Sequence, residues 1–181
     1  DLSKKMPLER IVPGLNNYLR DEDIAVLSCE EVDENFHARF GSQMRHYRYI
    51  ITNRHARDVL QKNLVWHIAK ELDVAAMKEG TIYLLGTHDF SAFRDAECQA
   101  QNAIRTISKI EITQSGQQII IEVSAKSFLH HMVRNIVGTL VWCGHKKIKP
   151  EDIKEILVSK DRTKSGPNAP ACGLYFVMVD Y

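Results

Sequence analysis

Residues 104–125 read IRTISKIEITQSGQQIIIEVSA, and that stretch decides the fold class. Branched aliphatic residues recur through Ile104–Thr113 and again through Gln118–Ala125, which predicts two strands. Ser115-Gly116 between them predicts a turn, so the pair is a hairpin. Downstream, Phe128 to Cys143 carries Leu129, Met132, Val133, Ile136, Val137 and Leu140 at helical spacing and predicts a helix closed by Gly144. A further helix starts at Pro150, where proline suits the first turn, and runs to about Ser159. Cys172–Val179 is a last apolar strand. Upstream, Arg45–Ile51 is a strand by its aromatic and β-branched content. Asp73 is an N-cap with Leu72 and Met77 as a hydrophobic staple, its helix running to about Leu85 before Gly86. This order predicts an α+β domain: a mainly antiparallel, mixed sheet with helices packed on one face.

The N-terminal region differs in character. Asp21 to Asn35 holds seven acids and no Lys or Arg, whereas Phe36 to Arg57 holds five arginines and no acid. A domain junction is expected at this change of sign, with residues 1–34 on one side and 35–181 on the other. Before it, Pro13-Gly14 predicts a turn after a short helix, and Ile24–Cys29 predicts a strand.

Over the whole chain of 181 residues, 24 Lys and Arg face 23 Asp and Glu, so net charge names no partner and only local patches can. Hydrophobic residues make up 44% and charged residues 26%, which argues for a packed core and against disorder. The four cysteines are far apart and form no metal-ligand or disulfide pattern, as expected of reduced thiols in a cytoplasm. The longest apolar stretch, from Phe128 to Cys143, is interrupted by histidines and an arginine. It also falls short of the ~20 residues that span a membrane.

Arg134 is the most informative residue. It is the only Lys, Arg, Asp or Glu between Lys126 and Lys146. A guanidinium in such apolar company either finds a carboxylate or phosphate partner or snorkels to water. Gly138, one turn on, implies a close approach to the helix. His130-His131 invites a metal, but neighbours on a helix point about 100° apart, so no metal is expected. In the strand, Arg45, Tyr47, Tyr49 and Ile51 share one face. Tyrosines interleaved with Arg45 and Arg48 suit either RNA, by base stacking and phosphate neutralisation, or an ordinary core with a basic rim. Asp89 and Asp95, lone carboxylates around Phe90-Ser91-Ala92-Phe93-Arg94, are expected to cap or solvate a loop.

Five blocks taken together resemble one family. They are Phe36-His37-Ala38-Arg39-Phe40, Arg45-His46-Tyr47-Arg48-Tyr49, Asp89 to Arg94, Phe128 to Gly138 and Gly173-Leu174-Tyr175. In order and spacing they are similar to the TruA-type tRNA pseudouridine synthases, from Leu15-Asn16-Asn17 to Tyr181. The resemblance implies a cofactor-free cytoplasmic enzyme, acting as a homodimer with two related α+β domains around a basic cleft. It converts uridines at positions 38–40 of the tRNA anticodon stem-loop by detaching, rotating and reattaching the base.

Residue by residue, Tyr47 matches the tyrosine that contacts the target base. Arg134 matches the arginine that pairs with the catalytic aspartate, and Leu174 an apolar position lining the base pocket. His37, Arg39, Arg45 and Arg48 are candidates for RNA backbone contacts. The family's aspartate lies in a G-R-T-D-A-G-V-type loop, and this sequence contains no such loop. The resemblance therefore implies that residues 1–34 are the tail of an N-terminal domain, 35–181 the C-terminal domain, and the chain alone inactive. The rival from another class is a non-catalytic RNA-binding module with an RNA-recognition-like sheet. A histidine-metal hydrolase is disfavoured by the His130-His131 spacing.

Overall fold

The structure, a computed structural model, describes residues 6–95 and 97–181. The chain divides into two compact units, residues 1–38 and 39–181. In the first, helix α1 (Leu8–Tyr18) runs through Pro13 and Gly14, so the expected turn there is absent. Ile24–Cys29 is extended but joins no strand among the described residues. Its backbone is instead held by a side chain. The Asn16 amide donates to the Val26 carbonyl at 2.8 Å and accepts from the Val26 N–H at 2.7 Å.

The second unit is an α+β fold on a six-stranded mixed sheet. Its strands are β1 (Met44–Asn53), β2 (Trp66–Ile68), β3 (Gly86–Asp89), β4 (Ile104–Ser115), β5 (Gln118–Ala125) and β6 (Leu174–Asp180). The order is β2-β1-β5-β4-β3, and every pairing is antiparallel except β1 with β2. Strands β6 and β2 share the β1 edge opposite β5, β6 beside Met44–Tyr49 and β2 beside Ile51–Asn53. The hairpin β4–β5 forms as its sequence predicts, with one irregularity. A register shift between Ile107 and Lys109 re-phases the strand, so Ile107, Ile110 and Ile112 all face inward.

Helices α2 (Val74–Thr81), α3 (Met132–Gly144) and α4 (Asp152–Ser159) pack with the sheet's apolar residues. Asp73 caps α2 by accepting the Ala76 N–H at 3.1 Å. The core joins Tyr49, Ile51, Ile119, Ile121 and Val123 of the sheet to Met132, Ile136, Val137 and Leu140 of α3. Alternation sends Arg48, Lys109, Glu111 and Glu122 to the sheet's other side, where they form a half-exposed ion-pair ladder. Helix α3 starts at Met132, four residues later than the apolar run predicts, because His131 is left-handed at φ 58°.

Candidate functional site

The N-terminal half of α3 lies against the segment 165–170, and that contact sets the site. Gly138 has no Cβ because none would fit: it would lie 1.8 Å from the Pro167 carbonyl oxygen. Gly166 reciprocates, its missing Cβ lying 2.5 Å from the Gly138 carbonyl carbon. The close approach expected at Gly138 is thus backbone on backbone. Two hydrogen bonds lock the next residues. The Ala169 N–H donates to the Arg134 carbonyl at 3.2 Å, and Arg134 Nε donates to the Ala169 carbonyl at 2.6 Å.

Arg134 is half-buried. Among the described residues it forms no ion pair with any Asp or Glu. In the same segment, the Pro170 carbonyl accepts from the Tyr49 hydroxyl at 2.6 Å. Burial pushes the Tyr49 pKa up, Cys172 adds to this, and the Arg134 charge opposes it. Leu174 stands opposite Tyr49 in the β1–β6 ladder and packs half-buried against the core.

Two residues along β1 from Tyr49, Tyr47 is half-buried between the rings of Phe128 and Phe176, each 5.1 Å away. Burial raises its pKa, with Arg45 opposing. Tyr47 lines an open cleft of about 410 Å³ with Arg45, Ser127, Phe128, Leu129, His130 and His131. Tyr47, Tyr49, Leu174 and Arg134 therefore belong to one neighbourhood. It is built from β1, its edge partner β6 and the first turn of α3.

The four residues expected at an RNA backbone are dispersed. Arg45 reaches the cleft wall, but its guanidinium donates to the Lys126 carbonyl and, at 3.2 Å, to the Arg39 carbonyl. Arg48 points to the opposite side of the sheet, where Nε and Nη2 donate to Glu122 Oε1 at 3.0 and 2.7 Å. This holds the Glu122 carboxyl below its usual range. Arg39 is exposed, its guanidinium 5.5 Å from the Phe40 ring centre. His37 is exposed in the N-terminal unit.

The histidine pair is not helical, so the angular argument against joint ligation does not apply to it. Asp95, His130 and His131 place their ligand atoms within 4.8 Å of one another. The geometry is nevertheless that of a hydrogen-bonded pair with a ring laid on it. His131 Nδ1 is 2.7 Å from Asp95 Oδ2, and the His130 ring stacks on His131 at 3.8 Å with planes 26° apart. Stacked rings carry their in-plane lone pairs side by side rather than converging on a point. Asp95 is pulled below its ordinary pKa, chiefly by His131. Asp89 accepts from Ser91 N–H and Oγ at 3.0 and 2.6 Å and pairs with Lys160 at 2.9 Å. Both carboxylates thus hold loops, as their isolation in the sequence suggests.

The family described as tRNA pseudouridine synthase matches residues 81–181. Over its whole length the chain is 46% identical to the tRNA pseudouridine synthase A of Afipia carboxidovorans, covering 74% of that protein. It is 44% identical to the tRNA pseudouridine synthase A of Anaplasma marginale, strains Florida and St. Maries, again covering 74%. The chain belongs to the tRNA pseudouridine synthase family. This is an isomerase family, and the α+β sheet with its helices is consistent with the pseudouridine synthase fold. No described helix is long and apolar enough to cross a membrane.

Sequence reasoning picked out Asn135 beside Arg134 but missed Thr139, Arg162 and Ser165, which with it brace Arg134 from behind. Asn135 and Thr139 are fully buried and Ser165 nearly so. The signal was available: two polar residues spaced i, i+4 inside an apolar helix must find partners.

Proposed function

We propose that this chain supplies the base-binding and arginine half of a cofactor-free tRNA pseudouridine synthase site. Its substrates would be uridines at positions 38–40 of the anticodon stem-loop, with the enzyme working as a cytoplasmic homodimer. The aspartate comes from a G-R-T-D-type loop that residues 1–181 do not contain, so these residues alone are inactive. The observation that carries the reading is Arg134: a half-buried guanidinium, oriented by the Ala169 carbonyl and with no carboxylate paired to it among the described residues. Such a charge needs an anion. An aspartate within about 4–6 Å would be held ionised by it at neutral pH.

The reaction is a balanced rearrangement. The bond from N1 of uracil to C1′ breaks, the base turns, a bond from C5 to C1′ forms, and the C5 proton is lost while N1 regains one. Tyr47 holds the extruded base, and Leu174 lines the pocket on the same side of the sheet. Unstacking that base costs a few kcal/mol, offset by phosphate contacts for which Arg39, Arg45 and His37 remain the candidates, Arg48 being taken up by Glu122 on the other side of the sheet. Arg45 is the one of these on the cleft wall.

The test is Arg134→Ala in the full-length enzyme. Pseudouridine formation should vanish while tRNA binding persists, whereas retained turnover refutes the assignment. Intact RNA binding with no isomerisation by the full-length wild-type protein would favour the RNA-binding module.

A further inference from the structure

We infer that Arg162 is the positioning residue for Arg134. The inference rests on the reading of Arg134 as the partner of the catalytic aspartate. It begins with how the Arg134 side chain is aimed. Its Nε bond goes to the Ala169 carbonyl, so wherever the segment 165–170 sits, the guanidinium follows. That segment has no regular structure through Ser165–Pro170 to hold itself. Its place is set by the Gly138–Gly166 contact and the Ala169 N–H bond to the Arg134 carbonyl at one end, and by side chains at the other.

Arg162 is the centre of that bracing. Its Nη1 donates to Ser165 Oγ at 2.7 Å and to the Gly166 carbonyl at 2.9 Å. Its Nη2 donates to Asn135 Oδ1 at 2.9 Å. Asn135 is the residue after Arg134 and is fully buried, its Nδ2 donating to the Phe93 carbonyl at 2.9 Å. The Gly166 N–H donates to Thr139 Oγ1 at 2.8 Å, and that hydroxyl donates to the Asn135 carbonyl at 2.8 Å. Ser165 Oγ reaches the Ala92 carbonyl at 2.6 Å. One planar fork therefore ties the start of the 165–170 segment to the helical turn that carries Arg134. The other end of the segment delivers the Ala169 and Pro170 carbonyls to Arg134 and Tyr49. A lysine cannot span both sets of acceptors at once, because its ammonium is a single point on a flexible stem.

The experiment uses the full-length enzyme, with Arg162→Lys and Arg162→Ala measured beside Arg134→Ala on an anticodon stem-loop substrate. Single-turnover rate, RNA affinity and the pH dependence of the rate are read together. Displacing a catalytic group by about 1 Å costs on the order of 100-fold. Arg162→Ala should therefore lose ~10- to 100-fold in rate with RNA affinity within about twofold, and Arg162→Lys should fall between it and wild type. The acid limb of the pH profile should also move up by about one unit, because a displaced Arg134 no longer holds the aspartate ionised. A purely structural role lowers the rate at every pH alike and leaves that limb in place. Such a uniform loss overturns the inference, as does an unchanged rate in both Arg162 variants while Arg134→Ala is dead. Failure of both variants to fold overturns it too, assigning Arg162 to stability alone. Full activity in Arg134→Ala would instead remove the reading beneath it.

Discussion

Replacing Gly138 by alanine tests the backbone-on-backbone contact beneath the site. The new Cβ would lie 1.8 Å from the Pro167 oxygen, where ordinary contact begins at 3.4 Å, so the segment must retreat by about 1.6 Å. Nothing flexible can absorb this, since the obstacle is main chain on one side and a largely buried helix on the other. Overpacking of this kind costs about 1–3 kcal/mol. The retreat also stretches the Gly166–Thr139, Ala169–Arg134 and Arg134–Ala169 hydrogen bonds, at 2.8, 3.2 and 2.6 Å, each with a net contribution of about 1 kcal/mol. Against this, alanine gains about 1 kcal/mol over glycine in a helix interior. The balance is a destabilisation of about 2–4 kcal/mol, read as a lower urea midpoint at unchanged slope.

Gly80→Ala is the internal control. It too is a helical glycine, but its Cβ would meet the Ile153 Cδ1 methyl at 2.7 Å, the free end of a flexible side chain. Its cost should stay within about 1 kcal/mol, strain and propensity nearly cancelling. If Gly138→Ala is neutral or stabilising, or costs no more than Gly80→Ala, the interlocked segment is wrong.

Two other expectations concern the acid side and the cleft. Asp89 is held at a pKa of about 2, first by the Ser91 hydroxyl and then by Lys160. Its folded pKa lies below the unfolded value, so it stabilises above about pH 4 and that stability is lost as pH falls toward 2. With Lys160 61% exposed, screening leaves about 1 kcal/mol of it, and Asp89→Asn should show that much less acid sensitivity in unfolding free energy between pH 5 and 2 (roughly). In a single-turnover assay of the full-length enzyme, Tyr47→Ala should slow isomerisation more than Lys149→Ala does. Equal effects would count against Tyr47 as the base contact.

What the sequence disclosed follows from how local each signal is. β1, the β4–β5 hairpin, α4 and the Asp73 cap are written in neighbouring residues and appear as expected. β2 and β3 have three and four residues and exist only through pairing with β1 and β4, so no local pattern announces them. Ile24–Cys29 shows the converse, a short apolar run with no ladder among the described residues, while the Pro13-Gly14 signal is overridden inside α1. The apolar run from Phe128 reads as helix throughout, but the left-handed His131, whose side chain contacts Asp95 and Asn168 far off in sequence, interrupts it.

At the site, Arg134 stood out because charge is rare in an apolar helix, and Tyr47 because of its neighbours. Period-two alternation already separated Arg48 from Tyr47, and the Arg48–Glu122 pair on the far side follows from it. The Arg162 bracing was hidden because it joins residues 27 positions apart through a loop with no regular structure.

The most direct measurement is the distance from the Arg134 guanidinium to the nearest carboxylate in a crystal structure of the full-length enzyme. A catalytic-loop aspartate within about 4 Å, with Nε still on the Ala169 carbonyl, is the predicted result. An Arg134 turned to solvent, or paired with an Asp or Glu among residues 1–181, would contradict the account.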